Sequence, residues 1–133
     1  MIAYEQLEVY QRALDFVELS LKTIGQLPAG YAELRSQWKR AAFSIALNIA
    51  EGAGKSGIGD KRRFYEIAKG SAMESGAICD ILYRAKVLDA QDHQVLKTLL
   101  YRIVSMLSKM CLNLRPANQI PQGRHRSCKP NAR

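Results

Sequence analysis

The sequence predicts an all-α protein, an antiparallel up-and-down four-helix bundle over residues 1–115 with a disordered basic C-terminal tail over 116–133. Three observations predict it. Apolar residues recur at spacings of three and four through four long segments. Short connections marked by glycine, proline or aspartate separate these segments, which favours antiparallel neighbours. Beyond Arg115 the composition turns to Pro116, Pro121, Gly123, Pro130 and polar or basic residues, too poor in apolar groups to pack.

The chain has 133 residues, the size of one domain that buries about two-thirds of its unfolded surface. Helix one is expected from Tyr4 to Gly25, with Leu7, Tyr10, Leu14, Val17, Leu21 and Ile24 as its seam. Gly25 and the Pro28 to Gly30 stretch stop it. Helix two then starts near Gly30 or Tyr31 and carries one apolar line through Leu34, Trp38, Ala41, Ile45 and Ile49. A second line, Ala42, Phe43, Ala46, Leu47 and Ala50, runs beside the first. A helix this apolar must bury more than one side, so its surplus face needs another helix pair or another subunit. Small residues at 41, 42, 46 and 50 favour close helix packing over a ligand cavity.

Residues 52–59, GAGKSGIG, break helix two. Gly54, Lys55 and Ser56 look like the end of a phosphate-binding loop, but that pattern needs glycine five places before Gly54, where Ile49 stands, and a preceding strand. The glycines therefore read as a helix stop and a turn. Asp60 is the expected cap of helix three, with Phe64, Ile67, Ser71, Ile78, Ile81 and Ala85 buried. Lys61, Arg62 and Arg63 fall in its first turn and oppose the helix dipole by a few tenths of a kcal/mol each. An external anion, an acidic surface on another subunit, or simple solvation would each account for them.

Gly70, Ser71, Ala72, Ser75, Gly76 and Ala77 give helix three a slim waist, where close packing offsets poor helix propensity. Glu74 lies in that waist and needs a partner if it is near the seam. Arg40, Lys39 or Asn48 on helix two can supply one, which makes Arg40, Asn48, Glu51 and Glu74 a candidate structural polar core. The other reading, an acid/base or metal pair of Glu51 with Glu74, lacks a histidine in either helix. Asp89 and Asp92 cap and charge the start of helix four. Its stripe is Val95, Leu96, Leu99, Leu100, Ile103, Met106, Leu107, Met110 and Leu114. His93 is expected at the surface.

Cys79, Cys111 and Cys128 are odd in number and form no CxxC pair, which argues against a disulfide framework or a zinc site. Cys79 and Cys111 read as small core hydrophobes. Tyr4, Glu5 and Glu8 interrupt any apolar leader, and no run approaches the ~20 apolar residues of a membrane span, so a soluble, cytoplasmic protein without a membrane partner is expected. Net charge is +8, which favours polyanionic partners. Arg124, Arg126, Lys129 and Arg133 supply half of it, and the remainder of the chain is only mildly basic.

An ordered set of residues resembles a known family. It runs through Leu7, Val9 and Tyr10, then Leu27 and Pro28, then Leu34, Ser36, Gln37, Lys39, Arg40, Ala41 and Ala42. Ser44, Ile45, Asn48, Ile49, Ala50, Glu51 and Gly52 follow on helix two, and Phe64, Ile67, Ala68, Lys69, Gly70, Ser71 and Glu74 on helix three. This pattern resembles the four-helix-bundle proteins encoded within intervening sequences of bacterial 23S ribosomal RNA genes, also called S23-type ribosomal proteins. The chain departs from the family at Ala46 and Leu47, where proline and serine are usual. Alanine removes a source of a kink, and Leu47 adds apolar surface. The resemblance implies the up-and-down bundle, assembly into a homopentamer, and an association with ribosomal RNA.

The leading expectation is a non-enzymatic homo-oligomer, without metal or cofactor, that binds structured RNA or another nucleic acid through phosphates. Arg35, Lys39, Lys61, Arg62 and Arg63 are the candidate contacts, with the tail assisting. The alternative is an oligomeric scaffold or adaptor that presents a surface to a protein partner.

Overall fold

A computed structural model describes residues 2–115; the expected tail over 116–133 lies outside the described residues. A 3-10 turn, Ala3–Gln6, leads into α1 (Glu8–Gly25), α2 (Ala32–Ala53), α3 (Ile58–Arg84) and α4 (Ala90–Asn113). Among the described residues there is no strand. Helices adjacent in sequence pack together, α4 closes against α1, and the diagonal pairs do not meet, so the four form a square up-and-down bundle.

The core is one apolar cluster drawn from all four helices. Trp38, Phe16, Ile45, Ile49, Leu82, Leu96, Ile103 and Leu107 are its largest fully buried members. Trp38 Nε1 donates to Ser20 Oγ at 3.1 Å, which satisfies the indole where water cannot reach it. Cys79 and Cys111 are free and buried, as small hydrophobes. On helix two the expected line through Trp38, Ala41, Ile45 and Ile49 is buried, together with Ala42 and Ala46 of the second line. Phe43 and Leu47 of its second line stand exposed.

Two expected seams are displaced. On α1 the buried residues are Val9, Ala13, Phe16, Ser20, Thr23 and Ile24, while Leu14 and Leu21 of the expected seam face outward. On α3 the buried residues are Tyr65, Ala68, Ala72, Ser75, Gly76, Ile78, Cys79 and Leu82; of the expected set Ile78 is buried, while Ile67 and Ile81 are exposed and Ala85 is the C-cap. The reason is the same in both helices. Each has two neighbouring lines at helical spacing, and the line with small residues admits the closer approach of a partner helix.

Helix one is also shorter than expected, because Leu7 adopts an extended backbone between the 3-10 turn and α1. Helix three begins at Ile58 with Gly57 as N-cap, so Asp60 sits inside the first turn and is not the cap. Asp89 does cap α4, its carboxylate accepting the Asp92 N–H at 2.7 Å. No helix among the described residues is long and apolar enough to cross a membrane.

Candidate nucleic-acid interface

The α2–α3 turn collects one part of the expected site. Helix two ends there with carbonyls that have no intrahelical partner. Lys61 Nζ donates to two of them, Gly52 O and Ala53 O, both at 3.0 Å. A cation at a helix C-terminus is favourable, so Lys61, which opposes the dipole of its own helix, serves the end of the preceding one. Its ammonium is thereby engaged inside the protein. Arg62 and Arg63 have no carboxylate within ion-pair distance among the described residues. The Arg63 guanidinium lies over the Phe64 ring at 4.7 Å, and Lys55 Nζ approaches the same ring at 5.2 Å. Lys55 also pairs with Glu51 at 3.5 Å.

The C-terminal end of α4 reaches this same end of the bundle. Burial pushes the Cys111 thiol up, with the charge of Glu66 adding to the rise and those of Lys69 and Arg62 opposing it. The start of α3, which carries Arg62, and the last turn of α4 lie at the same end of the antiparallel bundle. The exposed Arg115 follows, and the basic residues 116–133 continue from it.

The other expected contacts lie elsewhere. Lys39 and Arg40 are exposed on α2, about 20 Å along the helix from its C-terminal end at 1.5 Å per residue. Arg35 donates to Pro28 O at 2.7 Å and ties the start of α2 to the α1–α2 connection. Arg35, Lys39, Lys61, Arg62 and Arg63 thus do not form one patch.

The expected polar core is not assembled. Arg40, Glu51 and Glu74 are exposed, because the displaced seam of α3 turns Glu74 outward. Asn48 alone enters a polar cluster, where Nδ2 donates to Ser44 O at 2.8 Å and approaches Ser44 Oγ at 3.0 Å. Ser44 Oγ meets Ser71 Oγ at 2.7 Å across the α2–α3 interface. Three small polar side chains satisfy one another there, and no carboxylate is needed. Among the described residues no group of three or more His, Cys, Asp or Glu side chains is placed to hold a metal ion.

A second cluster joins α3 to α4. Asp80 Oδ1 meets His93 Nε2 at 2.7 Å and accepts from Lys97 Nζ at 2.9 Å, while His93 stacks on Tyr83 with ring centroids 4.3 Å apart. Burial raises the Asp80 carboxyl, but hydrogen bonds and charge from Lys97 and His93 outweigh it and hold the group below its ordinary value. Burial, with the Asp80 charge, pushes the neighbouring Cys79 thiol up to about 12. The sequence places His93 at the surface, and no local pattern links it to Asp80 on another helix.

Two apolar depressions mark opposite faces. Tyr10, Leu14, Val17, Phe43, Ala46 and Leu47 line the one between α1 and α2, about 290 Å³ in volume. Leu47 is its most prominent ridge, 67% exposed. Between α3 and α4 lies a groove of about 480 Å³ with Ala72, Gly76 and Ala77 on one wall and Leu100, Tyr101 and Val104 on the other. Asp80 and Lys97 also line it.

Comparison with known proteins matches the sequence to one family. The family described as 23S rRNA-intervening sequence protein matches residues 5–109. Among solved structures, a protein of unknown function from the S23 ribosomal protein family, from Bacteroides thetaiotaomicron, superposes with a TM-score of 0.72 at 19% identity. The match covers 77% of this chain and 97% of that one, and it shows a shared fold. No curated protein matches the chain in sequence.

Proposed function

This chain belongs to the 23S rRNA-intervening sequence protein family, and from that premise we propose that it is a non-enzymatic bundle protein that assembles with copies of itself, as a ring of five, and binds structured RNA by its phosphates. The observation that supports the RNA reading is that Arg62 and Arg63, near the start of α3, and Arg115, just past α4, lie at one end of the bundle, where the basic tail sequence begins. Lys55 and Phe64 frame that surface. Lys39 and Arg40 are exposed elsewhere on α2, and Lys61 and Arg35 hold backbone carbonyls. Self-association is supported by the exposed Phe43, Leu47, Leu14 and Leu21 on α1 and α2.

Binding through phosphates releases counterions, so affinity falls steeply with salt, with a logarithmic slope of about −0.9 per duplex contact. The test is titration of a folded 23S rRNA fragment between low and physiological salt. Replacing Arg62 and Arg63 together by alanine is expected to weaken binding and reduce the slope by roughly one to two. Lys61→Ala is expected to lower stability and leave the slope in place. An affinity that does not change with salt would refute the phosphate reading.

A second reading, an oligomeric scaffold for a protein partner, is favoured by Ile67 and Ile81, exposed on α3 outside both depressions. On that reading the Arg62 and Arg63 double variant keeps its partner.

A further inference from the structure

A third depression, at the C-terminal end of α2, has a lining unlike that of the two apolar faces. Leu47, Ala50, Glu51 and Gly54 stand at i, i+3, i+4 and i+7, so they share one face of α2 as the helix ends. Tyr4 closes that face from the 3-10 turn, which packs on α2, and Lys55 closes it just past the helix. The space between them is about 510 Å³. A methyl group at Ala50 and no side chain at Gly54 leave room over the helix.

The polar groups of this depression are arranged for a particular ligand edge. The Tyr4 ring is half-buried and rests on Tyr10, with centroids 4.8 Å apart and planes tilted by 59°, which holds it as a fixed aromatic surface. The Glu51 side chain is 55% exposed, and its carboxylate lies 3.5 Å from Lys55 Nζ, so a carboxylate and an ammonium stand side by side. A phosphate would be repelled here, because the end of α2 carries negative partial charge and Glu51 adds a full one. An edge bearing N–H donors would be drawn in. Lys55 also approaches the Phe64 ring over which Arg63 lies, so it joins the depression to the cationic end of the bundle.

We propose that this depression takes an unpaired guanine base of the bound RNA, stacked on Tyr4, with Glu51 accepting from N1–H and the N2 amino group and Lys55 donating to O6. The proposal rests on the phosphate reading above and adds what the RNA presents beside its phosphates. Among the four bases, guanine alone has two adjacent donors followed by an acceptor on its Watson–Crick edge, the complement of a carboxylate next to an ammonium. Adenine and cytosine place an acceptor beside their amino group, and uracil flanks its one N–H with two carbonyls. Each would set an acceptor against the Glu51 carboxylate. These edges are free only in unpaired RNA, in loops, bulges and ends. No local sequence pattern signals the site, since Tyr4 and Glu51 belong to different elements.

The test uses the full chain and RNA hairpins that share one stem and carry a single-nucleotide bulge of guanine, adenine, cytosine or uracil. All four have the same phosphates, so differences among them report the base and not the charge. Affinity is read by fluorescence anisotropy at low and physiological salt, and each variant is checked for helix content by circular dichroism. The guanine hairpin is expected to bind about tenfold tighter than the others. Tyr4→Ala is expected to weaken the guanine hairpin about tenfold with the salt slope unchanged, and Tyr4→Phe to restore it. Glu51→Gln, at an exposed position, is expected to abolish the guanine preference without weakening the other three hairpins. Equal affinity for all four with a steep salt slope would overturn the guanine site while leaving the phosphate reading standing, and so would a Tyr4→Ala protein that keeps the preference. Displacement of the RNA preference by an arginine-rich peptide, with no discrimination among the bases, would overturn it in favour of a cationic protein segment. A chain that binds none of the hairpins at any salt would overturn the phosphate reading and this inference with it.

Discussion

The same substitution, glycine to alanine, is expected to have opposite signs at two positions of this bundle. Inside a helix, alanine is favoured over glycine by about 0.8–1 kcal/mol. At Gly70, in the middle of α3, an added Cβ meets nothing within 4 Å, so Gly70→Ala is expected to stabilise by about 1 kcal/mol. At Gly52, in the last turn of α2, the added Cβ would lie 2.8 Å from Tyr65 Cε1 and 3.1 Å from Phe64 Cβ. Tyr65 is 3% exposed and packed in the core, and Phe64 Cβ is fixed to the α3 backbone, so neither can swing away. Overpacking of this kind costs roughly 1–3 kcal/mol. After the gain in propensity, Gly52→Ala is expected to destabilise by about 1 kcal/mol, and the two variants to differ by about 2 kcal/mol. Urea unfolding followed by circular dichroism at 222 nm measures both; the thermal midpoint should move by about 4 °C per kcal/mol. A Gly52→Ala protein as stable as wild type, or more so, would show that α2 and α3 are not held at this distance.

Three other perturbations probe separate parts of the structure. Lys86, just past the C-terminal end of α3, has φ of 63°, and the Val87 N–H donates back to Leu82 O at 2.9 Å; Lys86→Gly relieves a left-handed side-chain residue and is expected to stabilise by roughly 0.5–1 kcal/mol in the same urea assay. Ser20→Ala removes the acceptor of the buried Trp38 indole and is expected to destabilise by about 1–3 kcal/mol in thermal unfolding, with Trp38→Phe in the same background recovering part of the loss. The Asp80 carboxyl titrates below its unfolded value because Lys97 and His93 donate to it, so its contribution is present above about pH 4 and is lost as pH falls through the lower folded value. Asp80→Asn should flatten the acid limb of stability against pH, and an unchanged limb would show that this cluster does not couple to folding.

The bundle itself was legible in the sequence because four segments with helical apolar spacing and short connections leave few topologies. The Trp38, Ala41, Ile45 and Ile49 line, the Asp89 cap, the buried Cys79 and Cys111 and the exposed surplus around Phe43 and Leu47 could all be read from local pattern. The family could be read as well, from the ordered motif on α2 and α3, although Ala46 and Leu47 depart from it.

Tertiary structure alone decided which of two apolar lines on α1 and α3 turned inward. Periodicity fixes a spacing but not a phase when neighbouring lines are both apolar, and the phase followed the small residues that let helices approach. That choice moved Glu74 out of the core and left Asn48 with Ser44 and Ser71. Only the folded chain could reveal that Lys61 reaches back to the carbonyls of α2, that Asp80 joins His93 and Lys97, and that two apolar depressions stand on opposite faces. Each depends on groups brought together across helices, and a spacing within one helix carries no information about what the next helix places beside it.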